Sequence, residues 1–153
     1  MDFTAPISTL MSRKLVTVTP GDRIADIKEI FDHHSIHHIP VVKYKTLVGI
    51  ISKSDFLLFL QDENNPSYSK VTEQCRQYNY KVEDIMTTGI ATLESTDRMN
   101  VALQLFSENL FHAIPVVDED ELVGMLTTFD IIKALLEEDN SRIMANRIST
   151  VST

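Results

Sequence analysis

At 153 residues and 43% apolar content, the chain is long enough to bury a hydrophobic core without disulfide or metal staples. Its single cysteine, Cys75, excludes an intramolecular disulfide, and a formal charge of −8 argues against DNA or RNA, whose binders carry clustered Lys and Arg. No run approaches the roughly 20 apolar residues that cross a bilayer, and residues 1–10 have neither the basic start nor the apolar run of a signal peptide, so a cytoplasmic location without membrane attachment is expected.

In chain order, residues 15–19 (Leu15 to Thr19) are rich in β-branched side chains and predict a strand. Pro20-Gly21-Asp22 supplies a turn and an N-cap, after which Ile24, Ile27, Ile30 and Phe31 recur at helical spacing. Residues 39–42 and 47–51 read as the buried strands of a hairpin across the polar connection 43–46, and Ser52-Lys53-Ser54-Asp55 opens a short closing helix. Residues 61–81 are polar, with Asn64-Asn65-Pro66 as a breaker and a weakly helical run through Val71 and Cys75, and predict a connecting loop plus a short helix. The series then starts again. A strand is predicted at 90–94, a turn at Ser95-Thr96-Asp97, and a helix on Met99, Ala102, Leu103 and Phe106. Strands follow at 114–117 and 122–126 across the polar 118–121, and a short helix opens at Thr127-Thr128-Phe129-Asp130. The tail from Asn140 carries Ile143, Met144, Ile148 and Val151 among Ser, Thr and Arg, which suits a marginal helix or a mobile end.

The second series is a copy of the first. His37-His38-Ile39-Pro40-Val41-Val42 returns as His112-Ala113-Ile114-Pro115-Val116-Val117, an offset of 75 positions. The same offset relates Met11 to Met86, Thr17 to Thr92, Asp22 to Asp97, Phe31 to Phe106, Leu47-Val48-Gly49 to Leu122-Val123-Gly124, and Asp55 to Asp130. No insertion or deletion is needed, so the chain is a tandem repeat of one βαββα unit.

The strand, helix, Ile-Pro-Val-Val, Leu-Val-Gly strand and Ser/Thr-x-x-Asp helix of each copy resemble a tandem pair of CBS (cystathionine β-synthase type) domains. Val82-Glu83-Asp84-Ile85-Met86 is similar to the lead-in of such domains, and Ile7 to Met11 is its counterpart. The resemblance implies an α/β (α+β) fold, two repeats at 1–62 and 81–138 packed about a pseudo-two-fold axis, with 63–80 as connector and 139–153 as tail. It further implies clefts between the repeats that bind AMP, ADP, ATP or another adenosyl ligand as a regulatory ligand, with no required cofactor and no catalysis. The partners expected are a second copy in a homodimer and an effector protein acted on in trans.

The sharpest site candidates are Ser52 with Asp55 and Thr127 with Asp130, just after a buried strand and at a helix start. By resemblance the Asp holds the ribose hydroxyls. An ionised carboxylate is acceptor-only and takes two such bonds, and the first-turn amides favour an anion. The same spacing also caps a helix. Capping boxes prefer Glu or Gln at the fourth position, and both copies carry Asp after the same strand, which favours the ribose reading. Thr17 and Thr92 stand in the first strands, by resemblance beside the adenine, though threonine is also simply a good strand former. Ile39 and Ile114, with Val18 and Leu93, are candidate apolar walls, or core. His37, His38 and His112 precede the Pro-Val-Val strands where the family places groups facing phosphate, and Arg23, Arg98 and Lys53 are further cations at helix starts that are otherwise solvated surface.

Imidazoles at 33, 34, 37 and 38 suggest zinc, but they run from a helix end into a strand, lack an attached Cys or carboxylate, and only His112 recurs, so no metal site is assigned. Four scattered glycines provide no phosphate-cradling loop, and Cys75 lies in the connector away from any repeated histidine, so no catalytic residue is assigned. The competing reading is a ligand-free scaffold that dimerises through the helix faces at 56–60 and 131–136.

Overall fold

The computed structural model describes residues 2–61, 70–109 and 112–151, and Asn64-Asn65-Pro66 lies outside them. Its elements are α1 (Ile24–His33), β1 (His38–Lys43), β2 (Thr46–Ser52), α2 (Lys53–Leu60), α3 (Lys70–Asn79), α4 (Val82–Ile85), α5 (Met99–Asn109), β3 (Ala113–Asp118), β4 (Glu121–Thr127) and α6 (Thr128–Val151). Helices and hairpins follow the sequence periodicity closely. On α1, Ile24, Ile27 and Phe31 are buried, and on α5 Met99, Ala102 and Phe106 are. β1 and β2 pair antiparallel, Ile39 opposite Ile51 and Val41 opposite Gly49, with a bulge after Val41. β3 and β4 are likewise neighbours.

Three expectations are corrected. The strands predicted at 15–19 and 90–94 shrink to single parallel bridges, Val18 with Val41 and Leu93 with Val116. The reason is the aspartate that follows: Asp22 takes the Thr19 amide at 2.7 Å and Asp97 takes the Glu94 amide at 2.9 Å, so the chain turns instead of continuing the ladder. For the same reason Asp22 does not cap α1. The N-cap is Arg23, whose amide donates to Asp26 of the first turn. Third, the closing helices are unequal, since α2 has 8 residues whereas α6 runs on through the tail for 24.

The expected connector helix is α3. It is held on α2 by the Arg76 guanidinium, which donates to the Phe59 carbonyl at 2.6 Å and lies over the Phe59 ring, and by Tyr80 edge-on to the same ring.

The chain divides into two compact units that do not follow the order of the repeats. The first comprises Met1–Leu15, Thr92–Asp118 and Val123–Thr153, and the second Val16–Ala91 with Glu119–Leu122. Each unit therefore takes the lead-in that precedes the other repeat. In the first, the amides of Ile7 and Ser8 donate to the carbonyls of Asp97 and Ser95, and Ser12 exchanges both backbone bonds with Met125 of β4 at 2.9 Å. The second unit repeats this at the same offset: Val82 to Asp22, Glu83 to Pro20, and Thr87 exchanging both bonds with Ile50 of β2.

The lead-ins are anchored by apolar side chains. Ile7 and Val82 are fully buried and Met11 nearly so. Each such side chain contributes about 1.5–3 kcal/mol as an upper estimate, a large share of the 5–15 kcal/mol that stabilises an ordinary domain. Met11 crosses Gly124, and a Cβ built there would meet its sulfur at 2.5 Å; Met86 crosses Gly49, where the Cβ would meet the sulfur at 2.9 Å and the Thr87 carbonyl oxygen at 3.0 Å. The glycine of each Leu-Val-Gly strand is thus the floor on which the lead-in methionine lies.

Both hairpin turns adopt the left-handed region at two successive non-glycine residues, Tyr44 and Lys45 (φ 53° and 79°) and Glu119 and Asp120 (φ 49° and 67°). Two-residue turns of this hand match strand twist, and ordinarily carry Asn-Gly.

Two outcomes are expected. Gly49→Ala destabilises by about 2–3 kcal/mol and Gly124→Ala by less, since only the former meets a fixed carbonyl whereas Met11 can rotate aside; equal losses in urea melts would contradict this. Tyr44→Asn, at a side chain 92% exposed, relieves left-handed strain and raises the thermal midpoint by about 1–3 °C.

Candidate functional site

The predicted residues gather at the open end of each hairpin. In the second unit His38 stands opposite Ser52 where β1 begins and β2 ends, and the Lys53 amide donates to the His37 carbonyl at 2.8 Å, drawing the start of α2 onto the approach to β1. In the first unit the Thr128 amide donates to the His112 carbonyl at 3.1 Å, the same contact one offset later. Thr17 and Thr92 are exposed, each one residue before its bridge to the Pro-Val-Val strand. Ile39 and Ile114, with Val18 and Leu93, are buried in the two cores, so their side chains serve as core.

The capping alternative is physically realised in both copies. The Ser52 hydroxyl donates to Asp55 Oδ2 at 2.6 Å and accepts from the Asp55 amide at 3.0 Å. Thr127 does the same with Asp130, at 2.6 and 3.1 Å, and its amide donates to Asp130 Oδ2 at 2.8 Å. In each cap the carboxylate takes part through one oxygen, Oδ2. Asp55 Oδ1 accepts nothing from the described residues, whereas Asp130 Oδ1 lies 3.5 Å from the hydroxyl of Ser12. Asp55 is exposed and Asp130 half-buried.

The cations are arranged differently in the two copies. Lys53 is half-buried with its ammonium 5.9 Å above the Phe31 ring, and Arg23 and Arg98 are exposed. Ser12 and Arg13 escaped the sequence reading. Their counterparts Thr87 and Thr88 differ, so the repeat offered no signal for them, and nothing in a linear reading places the first lead-in against the second repeat's helix start. His33, His34 and His37 are exposed, and His33 is hydrogen-bonded at 2.8 Å to the Glu29 carbonyl. Among the described residues no group of three or more His, Cys, Asp or Glu is placed to hold a metal ion, and no helix is long and apolar enough to cross a membrane.

The CBS domain family model matches residues 7–62 and 82–137. The uncharacterized protein MJ1225 of Methanocaldococcus jannaschii is 27% identical over 134 residues, covering 87% of this chain and 48% of that protein. Its crystal structure aligns with a TM-score of 0.77 at 26% identity, over 88% of this chain and 49% of that one. The chain thus spans about half the length of this relative. The CBS domain-containing protein YhcV of Bacillus subtilis is 22% identical over 143 residues, 94% of each chain. A crystal structure of CBSX2 in complex with AMP, a protein of Arabidopsis thaliana, aligns with a TM-score of 0.72 at 27% identity, covering 88% of this chain and 98% of that one.

One electrostatic feature belongs to the second repeat alone. Asp118 Oδ1 accepts the Ser95 amide at 2.9 Å. That backbone bond, then the Ser95 side-chain bond, and last the field of Arg13 hold its carboxyl below the ordinary range. The first repeat has Lys43 at this position and Pro20, which lacks an amide hydrogen, in place of Ser95. Because the folded value is depressed, the unfolded chain binds more protons, and the stabilisation is complete above the unfolded value near 3.8 and lost as pH falls through the folded one. Asp118→Asn is therefore expected to flatten the fall in stability below about pH 4, measured by urea melts at stepped pH.

Proposed function

Since this chain belongs to the CBS domain family, we propose that it is a regulatory module that senses an adenine nucleotide or another adenosyl ligand through its two aspartate-capped helix starts and signals to a partner protein in trans. The observation that carries this reading is the matched cap itself: in both repeats a hydroxyl and one carboxylate oxygen close the helix start, and on α2 the second oxygen of Asp55 takes no hydrogen bond from the described residues. A carboxylate held by its own helix is pre-oriented for two vicinal ribose hydroxyls, and the first-turn amides and nearby His37 and His38 suit an anion beyond them. AMP in the related CBSX2 supports the ligand class. On this reading Thr17, His37, His38, Ser52 and Asp55 serve one ligand and Thr92, His112, Thr127 and Asp130 a second, with Ile39 and Ile114 shaping the backbone beneath. The module binds its ligand without turning it over, and works in the cytoplasm.

A second observation favours self-association alongside sensing. Leu57 and Leu58 on α2, and Phe129, Ile132, Leu135 and Leu136 on α6, are exposed, Leu58 at 57% and Leu136 at 61%. Burying these in a homodimer offers a surface whose population a ligand can shift.

AMP, ADP, ATP, S-adenosylmethionine, NAD and cyclic dinucleotides are screened by thermal melting. A ligand at about one hundred times its Kd stabilises by roughly 2.7 kcal/mol, or about 5–10 °C. Asp55→Ala and Asp130→Ala each abolish one part of the response. Ser52→Ala, which costs about 1 kcal/mol of capping but keeps the carboxylate, leaves most binding in place. A screen with no shift, or unchanged binding in both Asp variants, sinks the proposal and leaves the ligand-free scaffold.

A further inference from the structure

The two hairpin tips are one turn written with opposite charge. Lys43-Tyr44-Lys45-Thr46 carries two cations, and Asp118-Glu119-Asp120-Glu121, at the corresponding positions, four anions. Of the second tip, Glu119–Leu122 belong to the unit built on the first hairpin. There Thr46 is the antiparallel partner of Glu121, the Leu122 amide donates to the Lys45 carbonyl at 3.0 Å, and Lys45 Nζ lies 3.5 Å from a Glu121 carboxylate oxygen.

The backbone half of this contact is generic. Any antiparallel edge offers the same N–H and C=O groups, so the main chain gives the first hairpin of another copy the same bonds as its own second one. The side chains break that degeneracy. A first-with-first contact sets Lys43 and Lys45 against themselves, and a second-with-second contact sets four carboxylates against four. Like charges directly opposite are unfavourable, and at about 0.1 M salt the screening length of about 10 Å spans a whole tip. The Lys45–Glu121 pair, 74% and 54% exposed, is too solvated to hold the contact by attraction. What decides is the difference between the two pairings, weak attraction across unlike tips against repulsion among several like charges at once.

We infer that the opposite charges of the tips are a pairing code, which makes the first hairpin accept the second hairpin of its own chain and refuse the first hairpin of another copy. The inference is independent of the ligand proposal.

Register partners across antiparallel strands are close enough for a disulfide. The probe is therefore Thr46→Cys with Glu121→Cys in a Cys75→Ser background, oxidised and run on non-reducing gels. The intrachain crosslink is expected to predominate. Adding Lys43→Glu and Lys45→Glu, which makes both tips acidic, lowers the intrachain yield about fivefold at about 20 mM salt, and about 0.5 M salt restores most of it. Further adding Glu119→Lys and Asp120→Lys restores the yield at low salt. Thermal melts confirm that each variant folds. Should the Glu pair fail to fold, Lys43→Gln with Lys45→Gln gives a smaller loss with the same salt dependence. The inference is overturned if tip reversal leaves the intrachain yield unchanged, if the loss ignores salt, or if the compensating lysines do not restore it.

Discussion

The close approach of a methionine sulfur to a strand glycine, made twice, is the contact on which the rest of the structure depends. Met11 on Gly124 and Met86 on Gly49 lie where a Cβ would have to stand or push them aside, and beside each the lead-in exchanges two backbone bonds with the same strand. That strand ends at Ser52 or Thr127, where the capped helix begins. The lead-in thus sets the plane of the strand, the strand sets where its hydroxyl falls, and the hydroxyl sets the orientation of the aspartate. Because each lead-in precedes one repeat and completes the other's unit, neither repeat closes its own core. The tandem arrangement is a requirement of packing, whatever the module binds.

The aspartates illustrate how one residue serves two demands without conflict. A cap needs one acceptor oxygen near the hydroxyl and amide, and a carboxylate has two. In both copies the cap contacts of the carboxylate run through Oδ2 alone, the hydroxyl on α2 and the hydroxyl with the cap amide on α6, so Oδ1 stands outside the cap. The copies differ on this point, since Ser12 stands beside the second oxygen of Asp130 while Asp55 has no such neighbour among the described residues. The inequality of the copies thus extends from the substitutions at 38 and 113 to the lead-in that each helix start receives.

Much of this was legible in the sequence because it is periodic or duplicated. Helical spacing named the buried faces of α1 and α5, and the repeated Ile-Pro-Val-Val and Leu-Val-Gly runs named all four hairpin strands within a residue or two. The short first strands were misread because β-branched composition reports what a segment tolerates. Where it stops was decided by Asp22 and Asp97 taking the next amide, a side-chain bond that propensity does not register. The exchange of lead-ins was illegible for a different reason. Met11, Met86, Gly49 and Gly124 were all visible as matched positions, but matching is symmetric, and nothing in one dimension says whether a methionine meets the glycine of its own repeat or of the other.

Duplication creates a recognition problem that a single-copy fold does not face. Two units of one fold offer the same kind of backbone edge, and the tether between them raises the local concentration of the intended partner but does nothing to penalise the wrong one. Penalty must come from positions where the copies have diverged. Core positions are poorly placed for this, since each unit demands the same packing, as Ile39 and Ile114 or Val41 and Val116 show by their common burial. The tips are free of that demand, lie at the place where unlike hairpins meet, and are where the copies differ most in charge. They also retain Tyr, Lys, Glu and Asp in a backbone region where Asn-Gly sits with less strain. Strain kept at Lys45, Glu119 and Asp120 in exchange for charge is what a selected pairing signal leaves behind, and a turn serving only to reverse the chain has no use for it.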